Sequence, residues 1–192
     1  LASRSNSTAT VVRGICISDR MPSCMRAPPD AANMMKGVPR STADGSFAGY
    51  VGCQTNRPFG VVGESFENPK YLDKLVETVG GEAVEKYDQK VTCCGGALAF
   101  SEPEKSQVQI KKIIESAYDF GAEMIVTPCP VCQMNVEVYP GQSNKKYGTK
   151  FKIPVLYYSQ LMTVAYGASA KEAGLDGNIV RATKLEEIAA KK

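Results

Sequence analysis

Five cysteines between positions 53 and 132 follow the spacing C-x39-CC-x34-C-x2-C. Cys93 and Cys94 are adjacent, and neighbouring thiols seldom bond to each other because the small ring strains the intervening peptide. They therefore either pack inertly or offer two sulfurs to something else. Cys129 and Cys132 form a CxxC group, which can be a redox pair, half a zinc site or a cluster clip. This pair begins a predicted helix with Pro130 near its first turn, and a helix N-terminus stabilises thiolate. Gly95 and Gly96 follow the CC pair, so backbone can approach closely there and present N–H groups to sulfur.

Three chemistries remain open at this stage. Structural zinc takes four ligands in a closed tetrahedron and leaves one of five thiolates over. An iron–sulfur cluster accommodates the fifth if it departs from the simple four-cysteine cube. A metal-free dithiol oxidoreductase would need Cys129 and Cys132 alone and leaves Cys53, Cys93 and Cys94 unexplained. Cys16 and Cys24 share no spacing with the others and read as small hydrophobes. Histidine is absent from the sequence, which removes the commonest general base and every His-containing metal site.

The elements around these residues alternate. "SFAGYVGC" reads as a strand that ends at Cys53. Asn68-Pro69 starts a helix with Tyr71, Leu72, Leu75, Val76 and Val79 on one face, and Gly80-Gly81 stops it. "YDQKVT" reads as an extended segment that delivers the CC pair. Ser101 and Glu104 form a capping box for a long helix striped by Ile110, Ile113, Ile114, Ala117 and Tyr118. "EMIVT" is a strand running into "PCPVC". "IPVLY" is another, followed by a helix that Ser159 caps and that runs to about Gly167. "SAKE" and "TKLE" carry two more capping boxes, which predict a helical tail. This rhythm belongs to an α/β fold with a small parallel-type sheet flanked by helices. Loops leaving the carboxyl ends of such strands gather at one edge, so Cys53, Cys93, Cys94 and Cys129 can meet there.

Residues 1–46 differ from the rest. They contain no aromatic residue, carry five of the seven arginines and are interrupted by Pro28, Pro29 and Pro39. They read as a flexible or atypical N-terminal segment, with "LASRSNSTATVVR" able to pass for a transit peptide. The orderly domain runs from 47 to 192.

At 192 residues the chain can bury a substantial core. A net charge of +3, from 23 basic and 20 acidic residues, is too balanced to imply a nucleic-acid partner. No run of eighteen apolar residues is present to make a transmembrane segment. Seven cysteines, an odd number, fit a reducing cytoplasm with metal-bound thiolates better than a secreted disulfide framework.

The strings "GCQTNRP", "TCCGG" and "PCPVCQMN" together resemble the CCG-domain (cysteine-rich domain) family, and more specifically the heterodisulfide reductase B subunits and their sulfur-metabolism relatives. "IPVLYYSQLMTVAYG" is similar to the segment that follows the last motif there. The resemblance covers roughly 47–175 and implies a Rossmann-like CCG domain. It also implies a non-cubane 4Fe-4S cluster held by Cys53, Cys93, Cys94, Cys129 and Cys132. The implied role is an oxidoreductase component that works within a complex, carrying electrons between a ferredoxin-type partner and a disulfide or thiol substrate. Implied partners are proteins of the heterodisulfide reductase C type, which are ferredoxin-like, and of the A type, which contain flavin. Relatives of this kind usually carry two such motifs, and this chain has one.

Accessory residues are open to two readings. Asn56, Arg57 and Pro58 follow Cys53, and Arg57 either attracts an anion or is a loop cation. Gln133 and Asn135 either donate hydrogen bonds near Cys132 or face water, the latter being preferred. Tyr157 and Tyr158 read as core and rim aromatics. Lys145, Lys146, Lys150 and Lys152 make a basic patch in a Gly-rich loop, solvated or used for docking.

Overall fold

In a computed structural model the described residues are 45–57, 61–138 and 140–191. The expectations placed on 1–44, Cys16 and Cys24 among them, and on Pro58 lie outside the described residues.

Alternation along the strands decides which side each residue faces. In β1 (Ser46–Gly49) and the two residues after it, Phe47 and Val51 join one core while Ala48 and Tyr50 join the other. In β3 (Met124–Thr127), Met124 and Val126 face the first core and Ile125 the second. The same switch separates Leu156 from Val155 in β4 (Val155–Tyr157). With β2 (Glu82–Ala83) these strands make a four-stranded sheet of order β2-β1-β3-β4, every pairing parallel.

Helices cover both faces, as strands buried on two sides require. The first face receives α1 (Tyr71–Thr78), α5 (Tyr158–Ala165) and α6 (Thr183–Ala190) through Leu72, Leu75, Leu161, Val164 and Leu185. The second receives α2 (Pro103–Asp119) and α3 (Pro130–Val138) through Ile110, Ile113, Ala117 and Val136. A further helix, α4 (Pro140–Tyr147), rests against α2. The α/β architecture expected from the sequence is therefore the one observed.

The strand order places the site. From β1 the chain moves outward to β2, then returns past β1 to β3, so the connections from β1 and β3 diverge. Such a switch point opens a crevice at the carboxyl ends of the two strands. Cys53 follows β1 and Cys129 follows β3, so both belong to that crevice.

Several local expectations change. "YDQKVT" is not a strand: residues 85–91 form turns, and the strand that pairs with β1 is Glu82–Ala83. The Ser101–Glu104 box does not form, because α2 begins at Pro103 with Glu102 as its N-cap. A residue before proline is pushed out of the helical region, and Glu102 indeed has φ −139° and ψ 62°. Lys145 and Lys146 lie on α4 rather than in a loop. The "SAKE" box does form, with the Ser169 N–H donating to Glu172 at 2.9 Å and the Glu172 N–H to Ser169 Oγ at 3.3 Å, but it closes turns rather than a regular helix.

Candidate metal centre

Three loops bring five sulfurs together. The first leaves β1 through Gly52, whose φ of +71° suits glycine. A Cβ at Gly52 would stand 3.0 Å from Cys132 Sγ, so the bare backbone here gives the CxxC helix its room. The second loop turns through Gly95, at φ +73°, where a Cβ would meet the Ser106 backbone of α2 at 2.9 Å. That close packing seats the CC pair against α2, and the Gly95 N–H donates to Cys93 Sγ at 3.3 Å. The third loop leaves β3, where the Cys129 N–H donates to Thr127 Oγ1 at 3.4 Å.

Cys129 immediately precedes Pro130, the first residue of α3. Proline suits that position because its missing N–H would have no partner there. The N–H groups of Val131 and Cys132 point back at the Cys129 sulfur. The thiol thus takes the place of a helix cap, as the sequence pattern led one to expect.

The sulfurs divide by exposure. Cys94, Cys129 and Cys132 are buried, Cys53 is half-buried and Cys93 is exposed. On the inside, the Cys132 thiol is in hydrogen-bond contact with Cys129 and Cys94. At the rim, Cys53 is in hydrogen-bond contact with Cys93. Among the described residues no three thiol or carboxylate groups focus tightly enough to hold one metal ion.

The thiols consequently differ in acidity. The hydrogen-bond contact with Cys132 draws Cys129 down to about 6 against the opposing effect of burial, and the two helix N–H groups add to it. Cys94 is drawn down to about 7 by Cys132, again against burial, and is helped by the Gly96 N–H and the Asn135 side chain. Cys132 is pushed far up by its contacts with Cys129 and Cys94. Burial raises Cys53, and Cys93 reinforces the shift.

Around the sulfurs lie further polar residues, of which sequence reasoning missed Tyr50. Tyr50 is fully buried, donates to the Thr92 carbonyl at 2.6 Å and touches Cys132 with its hydroxyl. Burial, with the nearby Cys132 and Cys94, strongly opposes its ionisation. Asn135, read from sequence as water-facing, is buried; its amide donates to the Cys94 carbonyl at 2.7 Å and to Ser106 Oγ at 3.3 Å. Its spacing of three from Cys132 puts both on one helical face, a signal present in the sequence. Gln133 is half-buried and donates to the Val155 carbonyl at 3.3 Å and to Gln160 at 3.2 Å.

Other candidates spread outward. Asn56 is buried and its amide donates to the Phe66 carbonyl, so it holds the loop after Cys53. Arg57 is exposed beside that loop, its N–H bonded to the Cys53 carbonyl at 2.9 Å. The rings of Tyr157 and Tyr158 meet at a tilt of 50° with 4.9 Å between centres, both half-buried, with Tyr157 near Cys129. Lys145, Lys146, Lys150 and Lys152 are exposed, Lys146 pairing with Glu104 at 3.1 Å.

Comparison with known proteins agrees with the geometry. Residues 47–137 match the family described as CCG, cysteine-rich domain. The 8-methylmenaquinol:fumarate reductase membrane anchor subunit of Wolinella succinogenes is 35% identical over 71% of this chain and 48% of its own length. The B subunit of a ferredoxin:CoB-CoM heterodisulfide reductase from Methanosarcina mazei is 33% identical over 65% of this chain and 43% of its own. The B subunit of the ferredoxin/F(420)H(2)-dependent CoB-CoM heterodisulfide reductase from Methanosarcina acetivorans is 32% identical over 73% and 49%. The chain thus spans about half the length of the curated relatives it matches. None of the helices among the described residues is long and apolar enough to cross a membrane. The stretch that matches the CCG cysteine-rich domain family, residues 47–137, holds all five clustered thiols.

Proposed function

We propose that this chain is the iron–sulfur component of a cytoplasmic oxidoreductase complex of the heterodisulfide reductase type. Cys53, Cys93, Cys94, Cys129 and Cys132 are the proposed ligands of a non-cubane 4Fe-4S cluster, within a domain extending from 47 to 192. The observation that carries this reading is the gathering of five thiols from three loops at the β1/β3 switch point.

The residues present suit such a group. A single zinc ion needs four donors focused on one point. Here five sulfurs gather as an inner trio and an outer pair, one donor more than such an ion takes. Gly52 leaves space beside Cys132, and the Gly95 N–H already donates to a sulfur, as hydrogen bonds that tune cluster sulfurs do. When bound, the cluster would supply one-electron transfer and an iron able to meet a substrate sulfur.

The protein's part is binding and orientation. The lowered pKa values of Cys129 and Cys94 make thiolate available for ligation near neutral pH. Asn135 and Tyr50 hold the carbonyls of Cys94 and Thr92, which fixes the CC turn. Cys53 and Cys93, at the open rim, are the sulfurs nearest solvent and thus nearest an arriving substrate. Reduction of that substrate, a disulfide taking up two electrons and two protons to give two thiols, needs two one-electron deliveries, for which the proposed source is a ferredoxin-type donor. The similarity to B-type proteins named as ferredoxin-dependent supports such a donor, and further proteins of the A and C types would complete the complex.

The deciding experiment is metal and sulfide analysis of protein purified without oxygen, with an EPR spectrum of the same sample. About four irons and four sulfides per chain, with a paramagnetic state on oxidation or thiol addition, is the expected result. Zinc without sulfide would replace this reading with a structural zinc module.

A further inference from the structure

We propose that Asp73 and Lys90 form a buried charged clamp that positions the rim pair Cys53 and Cys93. Lys90 is 1% exposed, and its ammonium pairs with Asp73 Oδ2, itself on a residue 3% exposed. A lysine this deep is rare unless a charge partner holds it. The backbone carbonyl of Lys90 accepts from the N–H groups of both Val51 and Gly52, each at 2.9 Å.

One residue therefore ties three segments together. Its side chain grips α1 through Asp73, its carbonyl grips the loop that ends in Cys53, and its own chain reaches Cys93 three residues later. Gly49 makes room for this arrangement, since a Cβ there would stand 2.6 Å from Asp73 Oδ1. That oxygen is buried and accepts no hydrogen bond. An incompletely satisfied buried charge is a poor device for stability alone, because apolar residues of similar volume often do as well or better. A fixed pair of opposite charges does set a position, and the position it sets is the relation between the two rim loops.

The inference rests on the reading that Cys53 and Cys93 act in one site, yet its test requires no cluster. The full chain, reduced and stripped of metal, is treated with dibromobimane, and crosslinks are located by peptide mapping. The Cys129–Cys132 crosslink serves as an internal control. In Asp73→Asn and Lys90→Met, at temperatures where far-UV circular dichroism matches the parent, the ratio of Cys53–Cys93 to Cys129–Cys132 crosslink should fall by about ten-fold, as proximity-driven reactions do when misplaced by a fraction of an ångström. The double variant Asp73→Leu/Lys90→Met removes both charges together; it should recover thermal stability without recovering the ratio. An unchanged ratio in a folded single variant would overturn the clamp. So would a ratio restored in the double variant, which would make the pair a packing element; where the single variants fail to fold, the double variant decides alone. Iron and sulfide analysis of the parent chain judges the cluster reading separately, so the two can fail independently.

Discussion

The Asn135 amide donates to the carbonyl of Cys94 across 2.7 Å, joining the helix of the CxxC motif to the turn of the CC motif. The two bonded residues are 41 apart in sequence, and this bond fixes one motif relative to the other inside the core. The same amide reaches Ser106 on α2, so a single side chain links all three walls of the inner trio.

Replacing Asn135 with Ala should leave the buried Cys94 carbonyl without this donor. The expected loss is about 1–3 kcal/mol of unfolding free energy, the usual penalty for an abandoned buried partner. Denaturant unfolding of metal-free protein measures it. Iron content after anaerobic reconstitution should drop in parallel, because the CC turn loses its register against Cys132.

Gly52 and Gly63 offer a matched comparison. Both hold positive φ, +71° and +84°, so alanine at either should cost about 1–2 kcal/mol of backbone strain. A Cβ at Gly63 meets nothing within 4 Å, whereas at Gly52 it meets Cys132 Sγ at 3.0 Å. Gly63→Ala should therefore lose stability alone. Gly52→Ala should lose comparable stability and also most of its iron on reconstitution, read from metal analysis of the two variants side by side.

Tyr50→Phe removes the hydroxyl that satisfies the Thr92 carbonyl and touches Cys132. Ring packing survives, so the expected cost is again about 1–3 kcal/mol, seen as a lower midpoint with an unchanged denaturant slope. If the hydroxyl also orients the sulfur, the EPR signal of the loaded variant should broaden or shift while its iron content holds. An unaltered spectrum would limit Tyr50 to the carbonyl.

Much of this architecture was legible because it is written in short periods. The alternation of Phe47, Ala48 and of Met124, Ile125, Val126 announces strands with two buried faces, and the stripe Ile110, Ile113, Ile114, Ala117 announces α2. The cysteine site was legible through spacing combined with strand ends. What escaped depends on distant partners. Lys90 is buried because Asp73 comes beside it, and it lies in the turn that the sequence pattern reads as an extended segment. The helix α4 was missed because Gly141 and its polar neighbours have little helical pattern; bonds to α2, Gln107 to Gln142 at 3.1 Å and Lys146 to Glu104 at 3.1 Å, hold it in place. Asn135 was misjudged because residue type was weighed above its helical register with Cys132.

Glu137 gives the chain a pH dependence whose sign can be worked out. It is buried near the end of α3, and burial raises its pKa above the ordinary carboxylate value, although the N–H groups of Val180 and Ile179 and the Asn178 side chain partly oppose this. A carboxyl with a raised folded-state value binds its proton more tightly folded than unfolded. Its contribution is thus fully present below the unfolded value and is lost as pH rises through the folded one. Glu137→Gln keeps an oxygen to accept the Ile179 N–H, now held at 3.0 Å, and carries no charge to bury. The variant should accordingly match the parent in stability in acid and exceed it at neutral pH, when unfolding free energies of the metal-free forms are compared between about pH 4 and pH 7. A parent that gained on the variant as pH rose would mean that the backbone donors outweigh burial, and that Glu137 fastens the 178–180 turn to α3 as an anion.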